Sequence, residues 1–300
     1  MRLMFDEVRK NKIKSWFLII IFVFVIVNLG AVIGFIYGSL YFGIVLALII
    51  SLIYIVISYF SGDKMILKTS GAREVTKKEY PYLFHLIDGL SVSAGIPKPR
   101  AYVIDDSALN AFATGRDQKH SSITVTTGLL KKMNRQELEG VVAHEMSHIK
   151  NYDVRFMMLV IMLAGLVTLL SDFMFRSFFW GSKGKSSDKR GGNVFAILII
   201  IAIVLAVLSP IIGQLIRFSI NRKREFMADA NAAILTRYPP GLASALRKIA
   251  KDPDPLVDKA NKATAHLFIS TPFSKEHGFV TGLFLTHPSL EQRIKKLEEM

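Results

Sequence analysis

Val141-Val142-Ala143-His144-Glu145-Met146-Ser147-His148 is the stretch around which the rest of the chain makes sense. It contains two imidazoles four residues apart, with a carboxylate directly after the first. On an α-helix, positions i and i+4 share one face, so His144 and His148 can reach one metal ion. Zinc accepts imidazole nitrogen, and a site with three protein ligands leaves a position open for water. Glu145 then stands beside that water as the candidate general base. The competing reading is two surface histidines, since at ordinary residue frequencies the pattern arises by accident in roughly one chain in a hundred of this length. The context favours the metal. Asn134 followed by Glu137 has the form of a capping box. From Glu137 onward no proline intervenes, and Leu138, Val141, Val142 and Met146 fall at roughly helical spacing.

Composition narrows what can hold such a metal. Of the 300 residues 51% are hydrophobic, with the apolar ones gathered in blocks, and there is no cysteine. Mean hydropathy is +0.37, the profile of a membrane protein with charged sequence left over for a soluble domain. Disulfides and Cys-ligated zinc are excluded, so ligands must come from His, Asp or Glu. The net charge of +14 invites a nucleic-acid reading. The basic residues, however, are spread along the chain and gather beside apolar blocks, where anionic lipid explains them more simply. No nucleic-acid partner is expected.

Ser15 to Phe60 carries no charged side chain. A span needs about 20 apolar residues, so this run fits two transmembrane helices, Trp16–Tyr37 and Leu40–Phe60, joined at Gly38-Ser39. The run is too long for a signal peptide and lacks a clear small-residue cleavage site. Basic residues lie before it (Arg2, Arg9, Lys10, Lys12, Lys14) and after it (Lys64, Lys68, Arg73, Lys77, Lys78), which puts both flanks on the cytoplasmic side. Residues 63–155 read as a mixed soluble segment. It has a helix from Lys77 to about Val92, a strand at Ala101–Ile104, another at Ile123–Thr127, and a strand or loop at Ala108–Gly115. Phe156 to Trp180, interrupted by Asp172 and Arg176, and Asn193–Ile216 form a second apolar hairpin around a Gly/Ser/Lys-rich loop at 181–192. Arg222–Arg237 reads as a helix. Asp252–Thr281 reads as mobile, and Ser289–Glu299 as a charged terminal helix.

The third metal ligand does not lie just past His148, where Ile149 to Val154 offers neither glycine nor histidine. Glu225 and Asp229, i and i+4 on the helix after the second hairpin, are the best candidates. One can ligate while the other accepts the free N–H of a ligand histidine. The alternative is two ordinary solvated acids near Arg222 and Arg224.

His144-Glu145-x-x-His148, a second hydrophobic hairpin and Glu225-x-x-x-Asp229 together resemble the HtpX-type membrane zinc endopeptidases, relatives of the CAAX prenyl proteases. Leu109–Gly115, Val125–Leu130 and Thr286-His287-Pro288 with Arg293 are also similar to segments of that family. The resemblance implies one zinc ion per chain on His144, His148 and Glu225, with Glu145 as catalytic base and Asp229 supporting the zinc histidines. Asn110–Gly115 would bind extended substrate, and Asn110 and His287 would position substrate or the oxyanion. The implied fold is mainly α with a small β-sheet, an α+β zincin-like (gluzincin) domain, plus four transmembrane helices in two hairpins. Residues 1–62 would be the first hairpin, 63–155 and 221–300 the two halves of the cytoplasmic zincin domain, and 156–220 the second hairpin. The implied activity is cleavage of misfolded or damaged membrane proteins in a prokaryotic cell membrane, as part of stress-linked protein quality control. Two other classes compete with this reading. A catalytically silent adaptor on the same scaffold would lack need of all four core residues, and a transporter would rely on Asp172 and Arg176.

Overall fold

The computed structural model of the protein describes residues 2–36, 38–163, 165–166, 222–252 and 288–300. Asp172, Arg176, the loop at 181–192, most of the second apolar hairpin, nearly all of 252–281 and His287 therefore lie outside the described residues. The chain divides into two compact units. Residues 13–60 and 159–215 form one, and residues 1–12, 61–158 and 216–300 the other.

In the first unit the dominant elements are α1 (Arg2–Ile36) and α2 (Leu40–Thr69). Among the described residues, two helices are long and apolar enough to cross a membrane, Asn11–Val32 with mean hydropathy 2.6 and Leu40–Thr69 with 2.9. Both helices run beyond their apolar stretches, α1 starting at Arg2 and α2 ending at Thr69, because no proline interrupts the charged flanks. Gly38, at φ 81°, makes the turn between them, and its N–H bonds Phe35 O at 3.1 Å. The two helices meet backbone to backbone. A Cβ on Gly43 would fall 2.1 Å from Gly30 O, and one on Gly30 would fall 2.3 Å from Ala47 Cβ. Small residues at such a crossing let van der Waals packing hold helices that gain no hydrophobic drive from each other in lipid.

The second unit is organised on α5 (Arg135–Lys150), the helix that carries His144 and His148. It packs against α3 (Pro81–Ala94), the sheet, α7 (Arg222–Thr236) and α8 (Pro239–Ala250). Its Val141, Val142, Ala143, Met146 and Ile149 are fully buried. A short helix α4 (Thr127–Lys132) precedes it, α6 (residues 153–163) follows it, and α9 (Leu290–Glu298) closes the chain against α8. At Gly140 any side chain would strike Leu242 N at 2.7 Å, so glycine sets how closely α5 and α8 approach.

Among the described residues, four strands run in the order β1 (Arg73–Glu74), β2 (Arg100–Ile104), β4 (Ser121–Thr126), β3 (Ala111–Gly115). β2 and β4 are parallel, while β1 and β3 flank them antiparallel. Ala101, Val103, Ala111, Ala113, Ile123 and Val125 alternate along three strands and join the core shared with α5. The segment read as strand or loop is thus strand from Ala111 to Gly115. The helix expected from Lys77 begins instead at Pro81. Residues 76–80 form a turn closed by Glu79, which accepts from Thr76 N at 2.8 Å, and Pro81 starts the helix where its missing N–H costs nothing.

Candidate metal centre

α5 starts where it does because Asn134 and Glu137 close a capping box. Asn134 Oδ1 accepts from Glu137 N at 2.9 Å, and Glu137 Oε2 accepts from Asn134 N at 2.8 Å. Glu137 also accepts from Ser244 Oγ at 2.7 Å and from Lys248 Nζ at 2.6 Å, which ties the start of α5 to α8. Two turns along, His144 and His148 turn their Nε2 atoms toward each other at 3.2 Å. Glu225 arrives from the first turn of α7 with one carboxylate oxygen 3.6 Å from each Nε2. One ligand atom from each of the three residues lies within 4.8 Å of the others.

The outer nitrogens fix the rings. His144 Nδ1 lies 3.0 Å from Asp229 Oδ1, and His148 Nδ1 lies 3.0 Å from Asp153 Oδ2. With each Nδ1–H donating to a carboxylate, a neutral ring presents the lone pair of Nε2 to the common centre. Asp229 is held in turn by Arg293 of α9, whose Nε and Nη2 donate to its two oxygens at 2.9 and 2.7 Å. Arg293 is fully buried, and its Nη1 lies 3.5 Å from Glu225 Oε2. Asp153 sees Asn11 Nδ2 at 2.7 Å and Arg224 Nη1 at 3.5 Å. Ser147, between the two histidines, accepts from Asn231 Nδ2 at 2.9 Å and locks α5 to α7.

Without a metal the same carboxylates favour a proton on each imidazole, and a bound cation would displace it. Burial and the Arg293 guanidinium both oppose a proton on His144, yet hydrogen bonds to Asp229 and Glu225 outweigh them and hold its pKa at about 9. Burial likewise works against protonated His148, and Asp153 and Glu225 overcome it. Burial pushes the Glu145 carboxyl up. Asp229 is raised by burial but pulled below the usual carboxylate range by Arg293 and His144. Glu225, Asp229, Asp153 and Glu145 gather four carboxyl groups in a buried place beside the two guanidiniums of Arg224 and Arg293. Two imidazole Nε2 atoms and a carboxylate converging on one point, once the imidazoles give up their protons, are the complement of a divalent cation, and the donor set suits zinc.

Residues 77–300 match the sequence pattern of peptidase family M48. The chain belongs to peptidase family M48. The chain is 45% identical to a protease HtpX homolog of Dictyoglomus turgidum over 296 residues, covering 99% of this chain and 94% of the relative. A protease HtpX homolog of Caldanaerobacter subterraneus subsp. tengcongensis is 40% identical over 299 residues, covering 100% and 98%. Among solved structures, Ste24p of S. mikatae superposes with a TM-score of 0.51 at 20% identity, over 98% of this chain and 67% of that one, a likeness of fold. The protein is a membrane metalloprotease that acts on protein substrates.

Within the M48 chain the structure brings His144, His148, Glu225 and Asp229 together and buries Glu145 beside them. Asn110 is buried at the head of β3. Its Oδ1 accepts from Ala111 N at 3.1 Å and its carbonyl accepts from Thr126 N at 3.0 Å, and these bonds serve the strand pairing. Sequence reasoning gave no role to Asp153, Arg293 or Asn11. Asp153 had one available signal, a carboxylate five residues past the second histidine of the pair, just beyond the end of its helix. Arg293 lies in a stretch that reads as a solvated charged helix, and nothing local marks it as buried.

Proposed function

We propose that the protein is a zinc-dependent endopeptidase of a prokaryotic cell membrane, with one ion per chain on His144, His148 and Glu225. Supporting this is the convergence of those three donors, each histidine turned by its own carboxylate. When bound, zinc supplies a Lewis acid that polarises the scissile carbonyl and activates water. Glu145, buried next to His144, takes the proton released as water attacks and gives it to the leaving amine. β3, the last strand of the sheet, is the edge on which an extended substrate adds main-chain hydrogen bonds, with Asn110 at its head. His287 aids substrate or oxyanion.

Four transmembrane helices in two hairpins, with the catalytic halves 63–155 and 221–300 on the cytoplasmic face, complete the reading. It is supported by the two apolar helices, by their basic flanks, and by the requirement that His148 and Glu225 reach one ion from opposite ends of the second apolar stretch. A protease at that surface meets unfolded or damaged membrane proteins, which fits quality control. The test is to purify the protein in detergent, strip and restore zinc, and follow cleavage of casein. Activity should return with zinc in wild type and stay absent in Glu145→Ala. Equal cleavage by both would refute the mechanism.

A further inference from the structure

Asp153, which steadies His148, is contested. Its Oδ2 lies 3.0 Å from His148 Nδ1, while Arg224 reaches toward its Oδ1 from 3.5 Å. A guanidinium and a carboxylate left to themselves close to about 2.7–2.9 Å, often through both oxygens. Such a closure would turn Asp153 away from the imidazole. Asn11, near the start of α1, stands in the way. Its Nδ2 donates to Asp153 Oδ1 at 2.7 Å and to Asn151 O at 3.0 Å, and the residue is 1% exposed. Next to it, Lys12 Nζ sits 4.5 Å from the centre of the Tyr152 ring, and Tyr152 holds a left-handed φ of 61°. The Asn151–Asp153 turn is thus gripped from both sides of its strained residue by two consecutive side chains of α1. A neutral amide is the suitable group for this place, because it satisfies Oδ1 without adding a charge that would compete with the imidazole for Oδ2.

We infer that Asn11 is a positioning residue of the metal site: its amide orients Asp153 so that the carboxylate holds His148 in the metal-binding pose. The start of the first apolar helix thereby becomes part of the centre's support. The inference rests on the metal reading proposed above.

The experiment is zinc affinity of full-length protein in detergent, measured by competition with a chromophoric chelator, alongside thermal melting of the metal-free form. Groups that orient a ligand from outside the coordination shell are worth about 10–100-fold in affinity, and Asn11 acts one step further out. Asn11→Ala should therefore weaken zinc binding about three- to tenfold in a wild-type background. In an Asp153→Ala background it should have no further effect, because the group it acts through is gone. Asn11→Asp, which keeps the shape but removes the N–H, should weaken binding at least as much, and it decides the case if the alanine variant melts abnormally without metal. Wild-type affinity in both Asn11 variants, or the same loss with and without Asp153, would overturn the inference. A wild-type protein that binds no zinc would instead overturn the metal reading itself.

Discussion

His144 and His148 sit one turn apart on α5 and face one point, yet they are held by opposite means. His144 is closed in by charge. Its carboxylate, Asp229, is clamped through both oxygens by Arg293, which comes from the last helix of the chain and is itself fully buried. His148 keeps 13% of its side chain exposed and leans on Asp153, which is held by the amide of Asn11 near the other end of the chain. One side is a buried ion-pair network, costly to disturb. The other is a tight turn steadied by a neutral amide and by a looser ion pair with Arg224, where disturbance changes orientation more than stability. A metal site that must hold its ion while admitting a peptide gains from that division.

The largest effect should come from breaking the charged side. Arg293→Leu strands Asp229 and Glu225 in a buried place, and loss of one partner of a buried ion pair costs about 3–5 kcal/mol. Chemical denaturation of the metal-free protein measures this, and a loss under about 1 kcal/mol would show that Arg293 is better solvated than its burial indicates.

Next come the two supporting carboxylates compared directly. Asp229→Ala and Asp153→Ala should each lower zinc affinity about 10–100-fold. Asp229→Ala should also lower the Tm of the metal-free protein by several degrees more than Asp153→Ala does, because Arg293 loses a bidentate partner whereas Arg224 loses one that it reaches only at 3.5 Å. Equal destabilisation by both would erase the distinction between the sides.

The smallest effect belongs to a control outside the site. Glu137→Ala removes half the capping box and the bonds to Ser244 and Lys248, a loss of about 1–2 kcal/mol because Lys248 is partly solvated. Zinc affinity should be unchanged. Burial raises the Glu137 carboxyl, but Lys248, Asn134 and Ser244 outweigh it and hold its pKa below the unfolded value of 4.5. Its contribution is therefore complete at neutral pH and is lost as pH falls through the lower, folded pKa. The stability gap between wild type and variant should narrow in acid, and a gap that widens there would contradict the assignment.

What sequence could and could not reveal follows the same line. Local features were readable: the helix of His144 and His148, its capping box at Asn134 and Glu137, the turn at Gly38, and the i, i+4 pair Glu225 and Asp229. Each is fixed by groups a few residues apart. The first apolar hairpin was readable too, though not its helical extensions to Arg2 and Thr69, since hydropathy marks where lipid begins and not where hydrogen bonding stops. β1 escaped because two residues carry no periodicity. Arg293 and Asn11 escaped for a deeper reason. Their roles arise from pairings with partners 64 and 142 residues away, and a buried arginine or asparagine has the same sequence signature as an exposed one.

The central claim is that His144, His148 and Glu225 hold one metal ion together. Metal analysis of purified Glu225→Ala beside wild type tests it most directly. The account expects about one zinc per chain in wild type and a marked loss in the variant, as follows when one of three protein ligands is removed. Full zinc occupancy in Glu225→Ala would contradict it.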